Sequence, residues 1–162
     1  MITLKNITWE NFHDVIQLKP RKDQEAFTKP TSVFMAQGYV NQAAEYLDTL
    51  KALTRNDSVI GFAKWVHVPQ EVKPYRLKED ATMIDAFMLD QNHQSKGLGK
   101  EAFKSVLKAI RSDQRYTGKH IVLLCHKNNV GAHDFFHRFG FCKTSKTTTI
   151  NGEEYLWFQT TK

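Results

Sequence analysis

The stretch Gln94-Ser95-Lys96-Gly97-Leu98-Gly99 lies between a predicted strand over residues 82–89 and a predicted helix that begins at Leu98. Glycines let the main chain come close to a ligand. The N-terminus of a helix presents N–H groups without intrahelical partners and the positive end of the helix dipole. A turn of this composition, placed there, is typical of a phosphate-binding site. We therefore expect a phosphorylated cofactor to bind at residues 94–99.

Two other phosphate-binding motifs fit this turn less well. A nucleotide-triphosphate loop requires glycine at the position of Gln94 and a Lys-Ser/Thr pair, whereas Lys100 is followed by Glu101. Residues 97–102 match a G-x-G-x-x-A pattern. A dinucleotide fold places that pattern directly after a strand, with an acidic residue about twenty positions later, and residues 118–121 contain none. A glycine-rich turn without a ligand is the remaining alternative.

A second motif lies in residues 129–141. It has Asn129, then Ala132 three positions later, then Phe136 in an aromatic position, and it ends in Gly-Phe. The Gln/Arg-x-x-Gly-x-Gly/Ala turn followed by this motif resembles the Gcn5-related N-acetyltransferase (GNAT) family, whose turn binds the pyrophosphate of acetyl-coenzyme A. The resemblance covers nearly the whole chain. Within the family, the bacterial polyamine (spermine/spermidine) acetyltransferases look most similar, partly because of the ending at residues 151–154.

The periodicity of apolar residues predicts the element order β-α-α-β-β-β-α-β-α-β-β. The predicted strands cover residues 2–7, 50–53, 59–68, 82–89, 120–125, 141–150 and 154–160. The predicted helices cover residues 9–18, 33–46, 98–112 and 130–139, and residues 20–30 and 69–80 are predicted as charged connections. GNAT proteins use the same order. The expected fold is thus α/β (α+β): one acetyltransferase domain over residues 1–162, a mixed, splayed sheet and helices on both faces.

The resemblance implies that strands 82–89 and 120–125 splay apart and that the pantetheine arm of the cofactor enters the gap. It then pairs with the main chain of the first of these strands. The implied cofactor-binding residues are Phe87, Met88, Leu89, Gln94, Ser95, Lys96, Gly97, Leu98, Gly99, Lys100, Asn129, Ala132 and Phe136. Asn129 is also a preferred N-cap residue for its helix.

Acetyl transfer from a thioester to an amine requires a neutral amine, a donor for the developing oxyanion and a proton for the departing thiolate. On an alternating strand, Asp85 shares its face with three apolar residues, Met83, Phe87 and Leu89. A carboxyl group among apolar neighbours can bind or deprotonate an ammonium group. Asp85 is therefore the candidate catalytic residue, and a purely structural aspartate is the alternative. His67, on the preceding strand, is the second candidate base.

Phe136 departs from the family pattern, in which a tyrosine at this position protonates the leaving thiolate. His133 and His137 lie on the same predicted helix and are candidates to replace that hydroxyl; the alternative is that both are surface residues. A thiol with a pKa of about 8.5 is a fair leaving group, so water is a further proton source. The missing hydroxyl also leaves open a non-catalytic acyl-CoA sensor.

The chain of 162 residues carries a net charge of +6, but its lysines and arginines are scattered. Scattered charge favours a solvated surface over a nucleic-acid interface. We see neither a membrane-spanning stretch nor a signal-peptide pattern, and the two cysteines lack metal-ligand spacing. We expect a cytoplasmic protein without a metal, a nucleic-acid partner or a membrane partner. The resemblance implies a homodimer.

The sequence therefore predicts an acetyl-CoA-dependent N-acetyltransferase that acts on a primary amine of a small molecule, with polyamines as the leading substrate. One alternative is another acceptor, such as an aminoglycoside-like drug or a protein N-terminus. The others are the acyl-CoA sensor and a basic nucleic-acid-binding domain. The acidic residues that could receive a cationic substrate are Glu25, Glu45, Asp48 and Glu71.

Overall fold

The computed structural model describes residues 1–44, 46–69, 77 and 79–161. Its strands are β1 (Thr3–Lys5), β2 (Asp48–Arg55), β3 (Ser58–Val68), β4 (Ala81–Leu89), β5 (His120–His126), β6 (Cys142–Ile150) and β7 (Glu153–Thr161). Its α-helices are α1 (Phe12–Gln17), α2 (Thr31–Ala43), α3 (Leu98–Ser112) and α4 (Val130–His137). The predicted order of strands and helices is confirmed. Most of the connection predicted over residues 69–80 lies outside the described residues.

Two short 3₁₀ helices, Lys22–Phe27 and Gln91–His93, were not predicted. The first lies in the connection that the sequence indicates only as charged. It begins where the N–H of Gln24 donates to the carbonyl of Arg21 at 2.8 Å. Its residues have no apolar periodicity, so the signal that finds longer helices is absent there.

The seven strands form one sheet in the order β1-β2-β3-β4-β5-β7-β6. Every neighbouring pair is antiparallel except β4 and β5. The parallel pairing of β4 with β5 runs from Ala81 opposite His120 to Ile84 opposite Leu123. Beyond these residues the two strands separate, which confirms the splayed sheet.

A β-bulge lies on β4 where this separation begins. Lys64 of β3 is opposite Ala86, and Trp65 is opposite Ile84, so Asp85 is the extra residue on β4. A bulge reverses which residues point to each face of a strand. Ile84 before the bulge and Phe87 and Leu89 after it accordingly pack on one face.

Helices cover both faces of the sheet, as predicted. The largest core cluster joins the sheet to α3, with Phe103, Val106 and Ile110 fully buried, and side chains of α4 pack against it. The opposite face carries α1 and α2 through Val15 and Phe34. The turn at residues 94–99 follows the end of β4, and α4 follows the end of β5, so both lie at the end of the sheet where these two strands separate.

Candidate active site

A cleft of about 580 Å³ opens where β4 and β5 separate. Its walls include the ends of β4 and β5, the first 3₁₀ helix, the turn before α3, the start of α4 and Tyr155 of β7. The predicted site residues that line it are Asp85, Phe87, Met88, Leu89, Gln94, Ser95, Gly99, Asn129, Ala132 and Phe136. The structure thus brings most of the predicted site together around one cavity.

Four predicted cofactor-binding residues do not line the cleft through their side chains. Lys96 donates from Nζ to the carbonyl of Asn92 at 2.7 Å. Leu98 is buried in the core, and Gly97 and Lys100 are exposed. Contacts from Gly97 and Leu98 to a cofactor would therefore come from the main chain.

The turn before α3 has the geometry of an anion-binding site. Gly97 is the N-cap of α3, with a φ of +73°, and no side chain of a described residue caps this helix. A Cβ atom built on Gly97 would meet no described atom within 4 Å. The first N–H groups of the helix are left for an external acceptor. These residues fit a phosphate group, and the positive φ at position 97 favours glycine.

Gln94 fixes this turn in place. Its Nε2 donates to the carbonyl of Leu89 and to Oε1 of Gln24, both at 2.9 Å. The first contact fastens the turn to the end of β4. The second fastens it to the first 3₁₀ helix, so two walls of the cleft are joined through one side chain.

Asn129 caps α4, as predicted: its Oδ1 accepts from the N–H of Ala132 at 3.3 Å. Phe136, two helical turns after Asn129, packs against Phe103 and Phe135 with ring centroids 5.4 Å and 5.5 Å away. Both residues line the cleft. Their contacts with a cofactor stay predictions.

The prediction that Asp85 has apolar surroundings is wrong. Its Oδ2 lies 2.6 Å from Nζ of Lys64, and that ammonium lies 3.1 Å from Oδ2 of Asp48. The bulge explains the error, because Phe87 and Leu89 pack towards α3 whereas Asp85 meets Lys64. Asp85 therefore enters the cleft as a charge-paired carboxylate.

The histidines that were candidate acids or bases lie outside the lining of the cleft. His67 Nε2 is 3.6 Å from Oδ2 of Asp80. His133 Nε2 is 3.0 Å from the carbonyl of His126, and its ring lies 5.1 Å from that of Phe158. His137 is exposed. Neither histidine of α4 is placed to replace the hydroxyl that Phe136 lacks.

The wall residues that sequence reasoning missed include Phe27, His126 and Tyr155. Nδ1 of His126 accepts from the N–H of Asn128 at 3.1 Å, so the proton of the neutral ring is assigned to Nε2, 2.8 Å from Oε2 of Glu153. The rings of Phe27 and Tyr155 lie 5.3 Å and 5.4 Å from the His126 ring. Tyr155 reaches the cleft because β7 pairs with β5 and places it opposite His126.

Cys125 also lines the cleft, and burial raises the pKa of its thiol to about 12. The thiolate is the nucleophilic form of cysteine. At neutral pH Cys125 is therefore protonated and unsuited to carry an acyl group. The arrangement favours direct attack by an amine over a covalent acyl-enzyme.

Of the acidic residues considered for substrate binding, Asp48 lies behind Lys64 and Glu25 is exposed outside the lining. Glu45 and Glu71 lie outside the described residues. Among the described residues, the acidic ones that line the cleft are Asp85 and Asp23, and Asp23 is paired with Arg21, which lines the cleft too, at 3.2 Å. Within the described ranges, the helices lack the length and hydropathy that crossing a membrane requires.

The model of the acetyltransferase (GNAT) family matches residues 3–141. Spermine/spermidine N(1)-acetyltransferase of Bacillus subtilis (strain 168) is 25% identical over 155 residues, 96% of each chain. Aminoglycoside acetyltransferase AAC(6')-Ib, solved with coenzyme A, is similar with a TM-score of 0.76 and 16% identity, covering 100% of this chain and 95% of its own.

A GNAT family acetyltransferase from Elizabethkingia anophelis, solved with acetyl-CoA bound, has a TM-score of 0.62 at 16% identity and covers 99% of this chain and 98% of its own. The family match includes the turn before α3, the separated strands and α4. The chain therefore belongs to the GNAT family and is an N-acetyltransferase.

Proposed function

We propose that this N-acetyltransferase moves the acetyl group of acetyl-CoA to a primary amine of a small cationic molecule, with spermine and spermidine as the leading acceptors. The observation that carries the proposal is the construction of the cleft. One end meets an uncapped helix N-terminus with open space beside Gly97, which suits the phosphates of coenzyme A. The wall formed by β4 and the first 3₁₀ helix carries the partly exposed carboxylate of Asp85, which suits a cation, while Asp23 on the same wall is paired with Arg21. The similarity to spermine/spermidine N(1)-acetyltransferase supports the same acceptor class.

The chain supplies two kinds of contact to the cofactor. The main chain of residues 94–99 receives the pyrophosphate. The part of β4 from Phe87 to Leu89 lies beyond its pairing with β5, so the main-chain groups on that side, apart from the Leu89 carbonyl that accepts from Gln94, are available to the amides of the pantetheine arm. Bound acetyl-CoA supplies the acetyl group as a thioester. Asn129, Ala132 and Phe136 form the facing wall.

Asp85 receives the amine. Its carboxylate attracts the protonated acceptor and holds it in the cleft beside the reaction centre, where orientation alone contributes much of the rate. The bound ammonium loses its proton to the Asp85 carboxylate or to water, and the neutral amine then attacks the thioester carbonyl directly, because Cys125 is a protonated thiol. Tyr155 presents a phenol to the same cleft and is a candidate proton donor to the leaving thiolate, the role that Phe136 cannot perform.

The proposal is tested by thiol release from acetyl-CoA against a panel of amines: spermine, spermidine, an aminoglycoside, and a peptide with a free N-terminus. We expect the polyamines to give the largest kcat/KM. A larger kcat/KM for the aminoglycoside or the peptide would show that this compound, and not a polyamine, represents the acceptor class. Binding of coenzyme A without turnover of any amine would support the sensor instead.

Gly97→Val is expected to weaken coenzyme A binding at least tenfold, about 1.4 kcal/mol. A β-branched residue is strained at the positive φ of Gly97, and its side chain would occupy the open space beside the turn. Isothermal titration with coenzyme A measures the effect. The matched control is Gly152→Val, because Gly152 also has a positive φ and open surroundings but lies in the β6–β7 turn. If Gly97→Val and Gly152→Val bind coenzyme A with equal affinity, the phosphates do not bind at this turn.

Phe136→Tyr is expected to raise kcat severalfold, because a phenol at this position can donate a proton to the thiolate in the transition state. The residue is half-buried against Phe103, so an unpartnered hydroxyl would also lower stability. Stopped-time assays at saturating substrate and a thermal melt separate the two effects. If kcat does not rise, Tyr155→Phe tests whether the phenol on β7 already donates, and loss of rate in that variant would identify it.

A further inference from the structure

Lys64 is an unusual residue for the middle of a strand. Its side chain is 1% exposed, between Asp85 at 2.6 Å and Asp48 at 3.1 Å. Lysine is almost never fully buried unless it is paired, and removing an ammonium from water costs several kcal/mol. Two carboxylates share this one ammonium. The three side chains, which we term the buried trio (Asp48, Lys64 and Asp85), therefore carry a net negative charge.

The trio reaches solvent at one end. The side chain of Asp48 is 3% exposed and that of Asp85 is 26% exposed. Asn41 Nδ2 donates to Oδ2 of Asp48 at 2.6 Å, while Oδ1 of Asp48 is buried and has no hydrogen-bond partner among the described residues. A buried and partly unsatisfied charge cluster is poor at stabilising a fold, since apolar replacements often do as well or better. Fold stability alone therefore does not account for this cluster beside the cleft.

The geometry at Asp85 supplies that reason. The bulge on β4 directs its carboxylate onto Lys64, which holds Oδ2. No hydrogen bond from a described residue reaches Oδ1, and Asp85 lines the cleft. Lys64 thus fixes the orientation of the carboxylate. Asp48 offsets the charge of Lys64, so that the ammonium does not cancel the charge that Asp85 presents.

We propose that the buried trio is the acceptor-binding unit for a protonated amine, in which Asp85 contacts the ammonium group and Asp48 and Lys64 are positioning residues. The binding of one ammonium group to the trio brings its net charge to zero. The unit therefore selects cationic acceptors, and Asp48 contributes to this selection without touching the substrate. This inference rests on the proposed function, because it assigns the acceptor side of the same cleft.

Asp48→Asn is the sharpest test, because it is nearly isosteric, leaves an oxygen for Asn41 and removes only charge. We expect KM for spermidine to rise about tenfold, with Kd for coenzyme A unchanged, since a charge within several ångströms of the ammonium is lost in a weakly screened site. Asp57→Asn is the control. Asp57 is exposed in its pair with Lys5, so the change removes the same charge outside the cleft and should leave both constants as they are.

Lys64→Met is the second test variant. The carboxylate of Asp85 loses its fixed partner, so we expect kcat with spermidine to fall at least tenfold while coenzyme A still binds. A thermal melt checks that each variant is folded. Equal KM for spermidine in wild type and Asp48→Asn would overturn the inference. So would an equal loss of affinity for spermidine and for coenzyme A, which would indicate a general structural defect.

Calorimetric binding of spermidine in the presence of coenzyme A separates this inference from the proposed function. If the wild type acetylates spermidine and Asp48→Asn matches it, only the inference fails. If the wild type acetylates no amine but binds spermidine more tightly than Asp48→Asn does, the proposed reaction fails and the cation-binding unit stands. A wild type that neither acetylates nor binds spermidine would overturn both.

Discussion

Asp85→Asn is expected to lower kcat/KM for acetyl transfer to a cationic amine about a hundredfold at neutral pH. Asp85 is the member of the buried trio that lines the cleft, so the substitution removes the charge that meets the acceptor. It also offers an N–H group where a carboxylate oxygen had been, which disfavours a cation. The fold should survive, because Lys64 keeps Asp48 as a partner at 3.1 Å and is not left as an unpaired buried charge.

The measurement is kcat/KM for spermidine as a function of pH, together with calorimetric titration of coenzyme A. Coenzyme A should bind as tightly as in wild type, since its proposed contacts lie in the turn at residues 94–99 and along the main chain of β4. Asp57→Asn again serves as the control for a change of one surface charge. A variant with wild-type kcat/KM and an unchanged pH profile would show that Asp85 does not receive the amine.

The parts of the fold that local periodicity determines were predictable. The helix predicted over residues 98–112 has the observed bounds of α3, Leu98–Ser112. Its strong apolar face explains this success. The observed buried residues of α3 are Leu98, Ala102, Phe103, Val106, Leu107 and Ile110, and all of them fall on the stripe that the sequence defines. The hairpin turn at Asn151-Gly152 was equally predictable, because an Asn-Gly pair readily adopts positive φ in a tight hairpin. The observed φ values are +52° and +83°.

The electrostatics of the site were not predictable, because they depend on pairings between distant segments. Lys64 reads as an ordinary polar residue of a strand, and its burial follows from Asp48 on β2 and Asp85 on β4. The bulge at Asp85 is a single extra residue in the register of β3 with β4, and no local composition marks it. Tyr155 enters the cleft only through the pairing of β7 with β5. The spacing of apolar residues along a helix or strand does not reveal how two distant strands pair.

Phe103→Ala is expected to lower the free energy of unfolding by about 3–5 kcal/mol, the range for a fully buried aromatic residue. Phe103 is buried in α3 and contacts aromatic rings from three other parts of the chain. The partners are Phe87, Phe135, Phe136, Phe139 and Phe141, with ring centroids between 4.8 Å and 6.0 Å away. Truncation therefore leaves a cavity whose walls belong to several elements, and such a cavity collapses poorly.

The position of Phe103 links this stability to the site. It packs between Phe87 of β4 and the rings of α4, which are the two walls that the proposed cofactor contacts occupy. Chemical denaturation measures the unfolding free energy, and Trp9→Ala is the matched control, because Trp9 is 85% exposed and its removal should cost little. Phe103→Leu should retain much of the packing and lose less than the alanine variant. A loss below about 1 kcal/mol for Phe103→Ala would contradict this packing.

The affinity for coenzyme A shows whether the aromatic cluster also shapes the site. If the affinity of Phe103→Ala falls along with its stability, the cluster holds β4 and α4 at the separation that the cofactor requires. If the affinity is kept, Phe103 stabilises α3 without setting that separation.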